Sequence, residues 1–155
     1  MPEAQPPIMP DARAPTVQMA TTPELIARCF AVMLELRTSL ASAEEFVARV
    51  QQQQTEGFQL AFLERERQVV TAAGFRVQHM LATGLTMYVD DLVTGDAFRS
   101  QGNGKIMLDW LIARARAEGC ETFSLDSGTH RREAHAFYFR ERMRVSSFHF
   151  VLPLT

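Results

Sequence analysis

Cysteines and long apolar runs are scarce in this chain, and each scarcity excludes a class of protein. The two cysteines, Cys29 and Cys120, lack the spacing of a metal site, so we expect reduced thiols and no metal. No apolar run approaches the roughly 20 residues of a spanning helix, and the amino terminus lacks a signal-peptide pattern. A net charge of -2 gives no general attraction to nucleic acid or anionic membranes. We therefore expect a cytoplasmic protein without nucleic-acid or membrane partners.

The composition is that of an ordinary globular domain. A chain of 155 residues with 46% apolar and 22% charged residues is long enough for one domain with a proper core. Four of the first ten residues are proline, with little apolar material around them. This predicts a disordered leader over residues 1–14 and a single domain over residues 15–155.

The most informative stretch is the loop Arg99-Ser100-Gln101-Gly102-Asn103-Gly104-Lys105. It follows an apolar strand-like run and leads directly into a helical pattern. Its two glycines let backbone N–H groups turn outward and a ligand approach closely. The free N–H groups and the positive dipole end of the helix favour an anion, and Arg99 and Lys105 add positive charge. The loop therefore predicts phosphate or pyrophosphate binding.

Two familiar phosphate-binding motifs do not fit this loop. A P-loop requires a glycine where Arg99 stands and a serine or threonine where Ile106 stands. A dinucleotide-binding fingerprint requires a third glycine where Met107 stands. The spacing that remains is Arg-x-x-Gly-x-Gly.

The rest of the chain predicts alternating strands and helices. Thr16–Ala20 indicates an edge strand, Thr22-Pro23 starts a helix, and Ser42 with Glu45 forms a capping box that starts a second. Later segments are listed in chain order: strands at 58–62, 69–73 and 85–93, a helix at 104–118, a strand at 122–125, a helix at 130–141 and a final strand at 145–152. The strand–helix–strand–helix ending implies one parallel pair in an otherwise antiparallel sheet.

The Arg-x-x-Gly-x-Gly loop resembles the pyrophosphate loop of the GNAT-type acetyl-CoA-dependent N-acetyltransferases. The flanks agree: 88–94 resembles the family's strand before the loop, and Ala134 four residues before Tyr138 resembles its last helix. The resemblance covers residues 15–155. It implies an α/β (α+β) fold, a mixed and mostly antiparallel sheet flanked by helices, in the order β-α-α-β-β-β-α-β-α-β.

The resemblance also implies roles for individual residues. Acetyl-CoA, the cosubstrate, would bind through Arg99, Ser100, Gln101, Gly102, Asn103, Gly104 and Lys105. Its pantetheine arm would lie along Leu92, Val93 and Thr94, in a strand that usually carries a bulge. Tyr138 would donate a proton to the departing thiolate.

The sequence does not decide which residue is the general base, because each candidate has both a structural and a catalytic interpretation. Asp90 and Asp91 are adjacent on a strand and so should point to opposite faces, and Asp91 is our candidate base. His135 lies three residues before Tyr138 and could relay a proton, although a structural histidine is favoured.

These interpretations together predict an N-acetyltransferase acting on a primary amine of a small molecule or protein. The alternative is a non-catalytic domain of the same fold that binds an acyl-CoA or another protein. The identity of the amine is unknown, and a homodimer is left open.

Overall fold

A five-stranded mixed sheet organises the structure, a computed structural model that describes residues 15–155. Its strands are β1 (Val17–Met19), β2 (Gln59–Arg65), β3 (Gln68–Met80), β4 (Gly84–Thr94) and β5 (Thr122–Leu125). They lie side by side in chain order, antiparallel except for the parallel pair β4–β5. The predicted parallel pair is confirmed, whereas the predicted leader, residues 1–14, lies outside the described residues.

Within residues 15–155, five α-helices flank the sheet: α1 (Pro23–Arg28), α2 (Phe30–Leu36), α3 (Ala43–Gln54), α4 (Asn103–Ala117) and α5 (Arg132–Arg140). Two predicted starts are confirmed, since Thr22 Oγ1 accepts the Leu25 N–H and Ser42 Oγ accepts the Glu45 N–H. The predicted first helix is interrupted at Cys29, whose N–H bonds Ile26 O three residues back. None of the helices in residues 15–155 has the length and apolarity needed to cross a membrane.

The sheet has a hydrophobic core on each face. On one face, helices α1 to α3 pack Ile26, Met33 and Phe46 against Leu60 and Phe62 of β2. On the other face, Met107 and Leu111 of α4 pack against residues of β2, β3 and β4, listed as Ala61, Leu63, Phe75, Met87 and Val89. Because successive side chains of β2 point to opposite faces of the sheet, this strand contributes residues to both cores.

Strand β4 has a register shift in its pairing with β3, and its pairing with β5 ends at the same point. Phe75 of β3 lies opposite Val89, but the next residue back, Gly74, lies opposite Asp91, so Asp90 is an extra residue in a β-bulge. On its other side, β4 pairs with β5 only from Thr86 to Val89. Residues 90–94 therefore have no strand beside them on the β5 side within the described chain.

The predicted final strand over Val145–Leu152 does not form. Residues 144–155 contain no helix or strand, so the element order ends at α5. Phe148 and Phe150 are 83% and 91% exposed. A β-strand is stabilised by pairing and burial rather than by local preference, and this segment has neither in the single chain.

Candidate active site

The glycine-bearing loop has the conformation that its sequence predicts. Gly102 has a left-handed φ of 79°, which favours glycine, and Ser100 shares that region with a φ of 60°. Helix α4 begins directly afterwards, and Ile106 is the first residue whose N–H bonds back, to Gly102 O. Within the described residues, no acceptor meets the amides of Asn103, Gly104 and Lys105. These three N–H groups are the free donors that an anion requires.

The start of α4 is held firmly against the sheet. The buried Asn103 side chain accepts a 2.6 Å bond from Arg65 Nε and donates one of 2.9 Å to Phe98 O. This amide therefore has a structural role, which leaves its backbone N–H as its contribution to anion binding. A Cβ on Gly104 would lie 3.4 Å from Thr94 Oγ1. The end of β4 and the first turn of α4 thus meet closely at Gly104.

Both cations of the loop already contact carboxylates. Arg99 pairs with Asp96 at 2.9 Å, and Lys105 Nζ lies 3.0 Å from Glu141. Hydrogen bonds to Glu141 and then Asp109 raise the pKa of Lys105. Arg99 and Lys105 are more than half exposed, and exposed ion pairs contribute little. Either cation can therefore exchange its carboxylate partner for a phosphate at a small cost in free energy. Ser100 and Gln101, which lie between the two cations in the sequence, are exposed.

A small cavity of about 100 Å³ lies between β4 and the α5 region. Leu92 and Asp90 line it from β4, Arg37 from the end of α2, and Tyr138 from α5. Within the described residues, the Tyr138 hydroxyl has no hydrogen-bond partner. Burial raises the pKa of Tyr138, and the nearby Arg131 opposes this in part. The phenol therefore keeps its proton at neutral pH and is free to give it to a ligand in the cavity.

A larger cavity of about 430 Å³ adjoins the first. Its lining combines apolar side chains with three arginines and two aspartates, listed as Met33, Arg37, Ser39, Leu40, Phe46, Arg49, Val50, Gln53, Phe58, Arg76, Tyr88, Asp90 and Asp91. Arg37 and Asp90 line both cavities. The two cavities therefore lie on either side of these two residues.

The bulge corrects the expectation that Asp90 and Asp91 point to opposite faces. Asp90 receives two bonds from Arg76, at 2.9 Å from Nε and 2.8 Å from Nη2, while Asp91 Oδ1 lies 2.7 Å from Arg37 Nε. Both carboxylates line the larger cavity, because the extra residue in β4 resets the alternation of side chains.

The surroundings of Asp91 shift the pKa of its carboxyl group. Burial raises the pKa of Asp91, and the Arg37 guanidinium opposes this by hydrogen bonding and charge. Its side chain is only 15% exposed. A carboxylate with a raised pKa is a stronger base than an ordinary one, so Asp91 suits the role of accepting a proton from an ammonium group.

The structure places the remaining predicted residues as follows. Leu92 lines the small cavity, whereas the side chain of Val93 is buried in the core under α1 to α3. Thr94 lies beside Gly104 and exchanges a 3.1 Å bond with Thr71. The His135 ring bonds Gly128 O at 2.9 Å, which fits the structural role favoured from the sequence.

The side chains that line these cavities without having been singled out from the sequence include Arg37, Arg76, Tyr88 and Asp126. The Tyr88 hydroxyl donates a 2.6 Å bond to Asp126 Oδ2. Burial and then this bond raise the pKa of Tyr88. Tyr88 lies two residues before Asp90, so strand periodicity could have found it. Arg37 carries no such signal, because only the packing of α2 on β4 brings it to Asp91.

Comparison with known proteins assigns the fold and the family. The model of the acetyltransferase (GNAT) family matches residues 25–143. An uncharacterized N-acetyltransferase, YhdJ, of Bacillus subtilis (strain 168) is 32% identical over 123 residues, 79% of this chain and 86% of that protein.

Two further proteins are similar in part or in fold. The aminoalkylphosphonate N-acetyltransferase of Salmonella typhimurium (strain LT2) is 36% identical over 66 residues, 43% of each protein. The aminoglycoside N-acetyltransferase AAC(6')-Iy, solved in complex with CoA, has a TM-score of 0.79 at 9% identity and covers 94% of this chain and 98% of that one. This last likeness concerns the fold alone. The match of the family model across most of the chain and the Bacillus relative establish that the chain belongs to the GNAT acetyltransferase family.

Proposed function

We propose that this chain transfers an acetyl group from acetyl-CoA to a primary amine of a small molecule or protein. The observation that carries the proposal is the junction of three features: the free amides at the start of α4, the unpaired side of β4 at residues 90–94, and the Tyr138 hydroxyl in the cavity beside them. Each feature suits one part of a long ligand with a phosphate end and a thioester end.

The cosubstrate would bind along the line that these features form. The amides of Asn103, Gly104 and Lys105 suit the pyrophosphate, with Arg99 and Lys105 as counter-charges. The backbone of Leu92, Val93 and Thr94 has no strand on its β5 side, so its polar groups suit an added strand-like ligand. The close fit of Gly104 against Thr94 supports this path, because a side chain there would fill it.

The chemistry follows from the two cavities. The neutral amine in the larger cavity attacks the thioester carbonyl carbon, the N–C bond forms and the C–S bond breaks. Asp91 accepts the proton that the ammonium group must lose before attack, and Tyr138 protonates the leaving thiolate. The second proton, which the attacking nitrogen loses as the amide forms, returns the Tyr138 phenolate to the phenol. A phenol with a raised pKa is a weaker acid than a thiol of pKa about 8.5. Proton transfer from Tyr138 to the thiolate is therefore uphill and depends on proximity in the small cavity.

Thiol release tests the proposal directly. The purified chain would be supplied with acetyl-CoA and a set of amines, and free thiol would be measured with and without each amine. The set begins with aminoalkylphosphonates, because a partial relative carries that name and the larger cavity holds both arginines and aspartates.

Amine-dependent thiol release would support the enzyme. If acetyl-CoA binds but no amine is consumed, the alternative stands: a non-catalytic domain that binds an acyl-CoA. Absence of acetyl-CoA binding would leave a protein-interaction domain of the same fold. A cytoplasmic location stays a prediction from the sequence.

A further inference from the structure

The charged side chains that line the larger cavity leave a positive charge in excess. Three arginines, Arg37, Arg49 and Arg76, face two aspartates, Asp90 and Asp91. Each aspartate already has an arginine partner, since Arg76 binds Asp90 through two nitrogens and Arg37 Nε lies 2.7 Å from Asp91. A molecule that enters this cavity therefore meets more donors than free acceptors.

Two donor atoms of the lining have no acceptor among residues 15–155. Arg76 uses Nε and Nη2 for Asp90, which leaves its Nη1 without a partner. Gln53 Oε1 accepts a 3.3 Å bond from Arg76 Nη2, and because arginine only donates, the Gln53 oxygen must face it. The Gln53 amide nitrogen is then left free to donate. Both side chains are half-buried, and in such surroundings a bond from a charged donor to an anion is strong.

Arg49 adds a third donor group from helix α3. It lies four residues before Gln53, so the two side chains share one face of the helix with Phe46 and Val50, which also line the cavity. The carboxylate that Arg49 contacts, Glu45 at 2.7 Å, is not part of the lining. Because Arg49 is 58% exposed, this ion pair contributes little and can give way to an anionic group of a ligand.

The candidate base Asp91 lies close to these donors, and the Phe58 ring is adjacent to both. A Cβ on Gly74 would clash with the Phe58 ring and would lie 2.8 Å from Asp91 Oδ2, so the ring and this carboxylate are neighbours. The Arg76 guanidinium lies over the same ring, with its Cζ atom 5.6 Å from the ring centroid. The group that can take a proton from an amine and the groups that can bind an anion are thus about one aromatic ring apart.

We propose that the acceptor is a compact amine that also carries an anionic group, a carboxylate or a phosphonate. Its amino group lies at Asp91, and its anion is bound by Arg76 and Arg49 with the Gln53 amide as a further donor. A planar guanidinium binds either oxyanion through two parallel hydrogen bonds. The volume of about 430 Å³ suits a small molecule. This assignment rests on the proposed function and narrows its acceptor from any primary amine to one charge class.

The same charges disfavour the other classes of amine. A polycationic amine would place its further ammonium groups against the arginines of the lining, and like charges in contact repel. A neutral amine would leave the free donors of Arg76 and Gln53 without an acceptor. The expected order of preference is therefore anionic amines first, neutral amines second and polycationic amines last.

The first test compares amines that differ in charge. β-Alanine, aminoethylphosphonate and propanolamine share a short carbon chain and end in a carboxylate, a phosphonate and a neutral hydroxyl, and spermidine is the polycation. We expect kcat/KM from thiol release to be on the order of 10²-fold higher for the better anionic amine than for propanolamine, with spermidine lowest. The two anionic amines distinguish a carboxylate from a phosphonate. If propanolamine or spermidine is acetylated as well as both, acetyl transfer stands and the charge class is overturned.

The second test removes one guanidinium and keeps the Arg76–Asp90 pair. In Arg49→Gln, KM for the anionic amine should rise roughly tenfold, while kcat and the constants for propanolamine stay unchanged, and Arg49→Lys should recover part of the loss. Arg116→Gln is the matched control, because Arg116 is an exposed arginine of α4 outside the cavity. A preference for anionic amines that persists unchanged in Arg49→Gln would place the anion elsewhere and overturn the assignment.

A binding measurement separates failure of this assignment from failure of the proposed function. β-Alanine and aminoethylphosphonate would each be titrated calorimetrically into the parent chain and into Arg49→Gln. If no amine releases thiol but an anionic amine binds the parent more tightly than Arg49→Gln, acetyl transfer fails and the anion site stands. If neither anionic amine binds the parent, the anion site is overturned, whichever other amines are acetylated.

Discussion

The hydroxyl group of Tyr138 distinguishes a catalytic role from a packing role, because a phenylalanine at this position would keep the packing and lose the proton donor. Tyr138→Phe keeps the ring beside Phe137 and removes the only proton that the side chain can donate. We expect kcat on the best amine to fall on the order of 10²-fold, with a smaller change in KM, because the bond to sulfur develops in the transition state. Steady-state kinetics would measure this, and melting temperature and acetyl-CoA affinity should stay near those of the parent chain.

The control for this variant lies on the same helix. Phe139→Leu changes a ring that is 57% exposed, so kcat should not move. An unchanged kcat in Tyr138→Phe, with acetyl transfer shown to be rate-limiting, would exclude the proton-donor role.

The raised pKa of Asp91 should affect the pH dependence of both stability and activity. Because burial raises the pKa of Asp91, the folded chain holds this proton more tightly than the unfolded chain does. Between the ordinary value of about 3.9 and the raised value, the folded state binds more protons, so the free energy of unfolding falls as pH rises. Relative to Asp91→Asn, the parent chain should therefore lose stability through that window.

Urea unfolding of both chains at a series of pH values would measure this difference. Asp91→Asn removes one titrating carboxyl group, so the difference between the two chains reports on Asp91 and the charges that it contacts. The kcat/KM of the parent should rise through the same raised pKa, since the base must be ionised. If the free energy of unfolding changed with pH in the same way in the parent chain and in Asp91→Asn, the raised pKa of Asp91 would be contradicted.

At the scale of elements, the junction between β4 and α4 is the feature most open to test. Gly104→Glu should place a side chain against Thr94 and a negative charge at the free amides, so affinity for acetyl-CoA should fall sharply. Ala113→Glu adds the same charge at an exposed position of the same helix and is the control. Calorimetric titration would measure both, with circular dichroism showing that each folds. Equal affinities in Gly104→Glu and the parent would exclude the loop as the binding site.

The elements also show where local pattern succeeds. The capping residues Thr22 and Ser42 start helices as predicted, because each side chain bonds an amide three residues ahead in the sequence. The left-handed Gly102 at the start of α4 is equally local. The strand predicted at 145–152 does not form, because a strand is stabilised by pairing and the segment makes no backbone hydrogen bond to any other described residue.

At the scale of the whole molecule, the first fourteen residues remain a sequence prediction. Their proline content predicts a segment that contributes no packed element, so a chain of residues 15–155 should melt within a few degrees of the full chain. Thermal unfolding of the two chains at equal concentration would measure this. A large loss of melting temperature on deletion would show that the leader packs against the domain.

The sequence by itself determined the order of elements up to α5, apart from the break at Cys29 that divides the predicted first helix into two. It also determined the parallel pair, the glycine loop and the family. The elements and the loop depend on capping, backbone freedom and periodicity, whose causes lie within a few residues of each other, whereas the family followed from the resemblance of the loop and its flanks. Only the tertiary structure decided that Asp90 and Asp91 share one face, because the bulge depends on how β4 pairs with Gly74 and Phe75 of β3. Only packing brought Arg37 to Asp91, 54 positions away along the chain. Long-range pairing and burial, which no local pattern encodes, set the geometry of the candidate site.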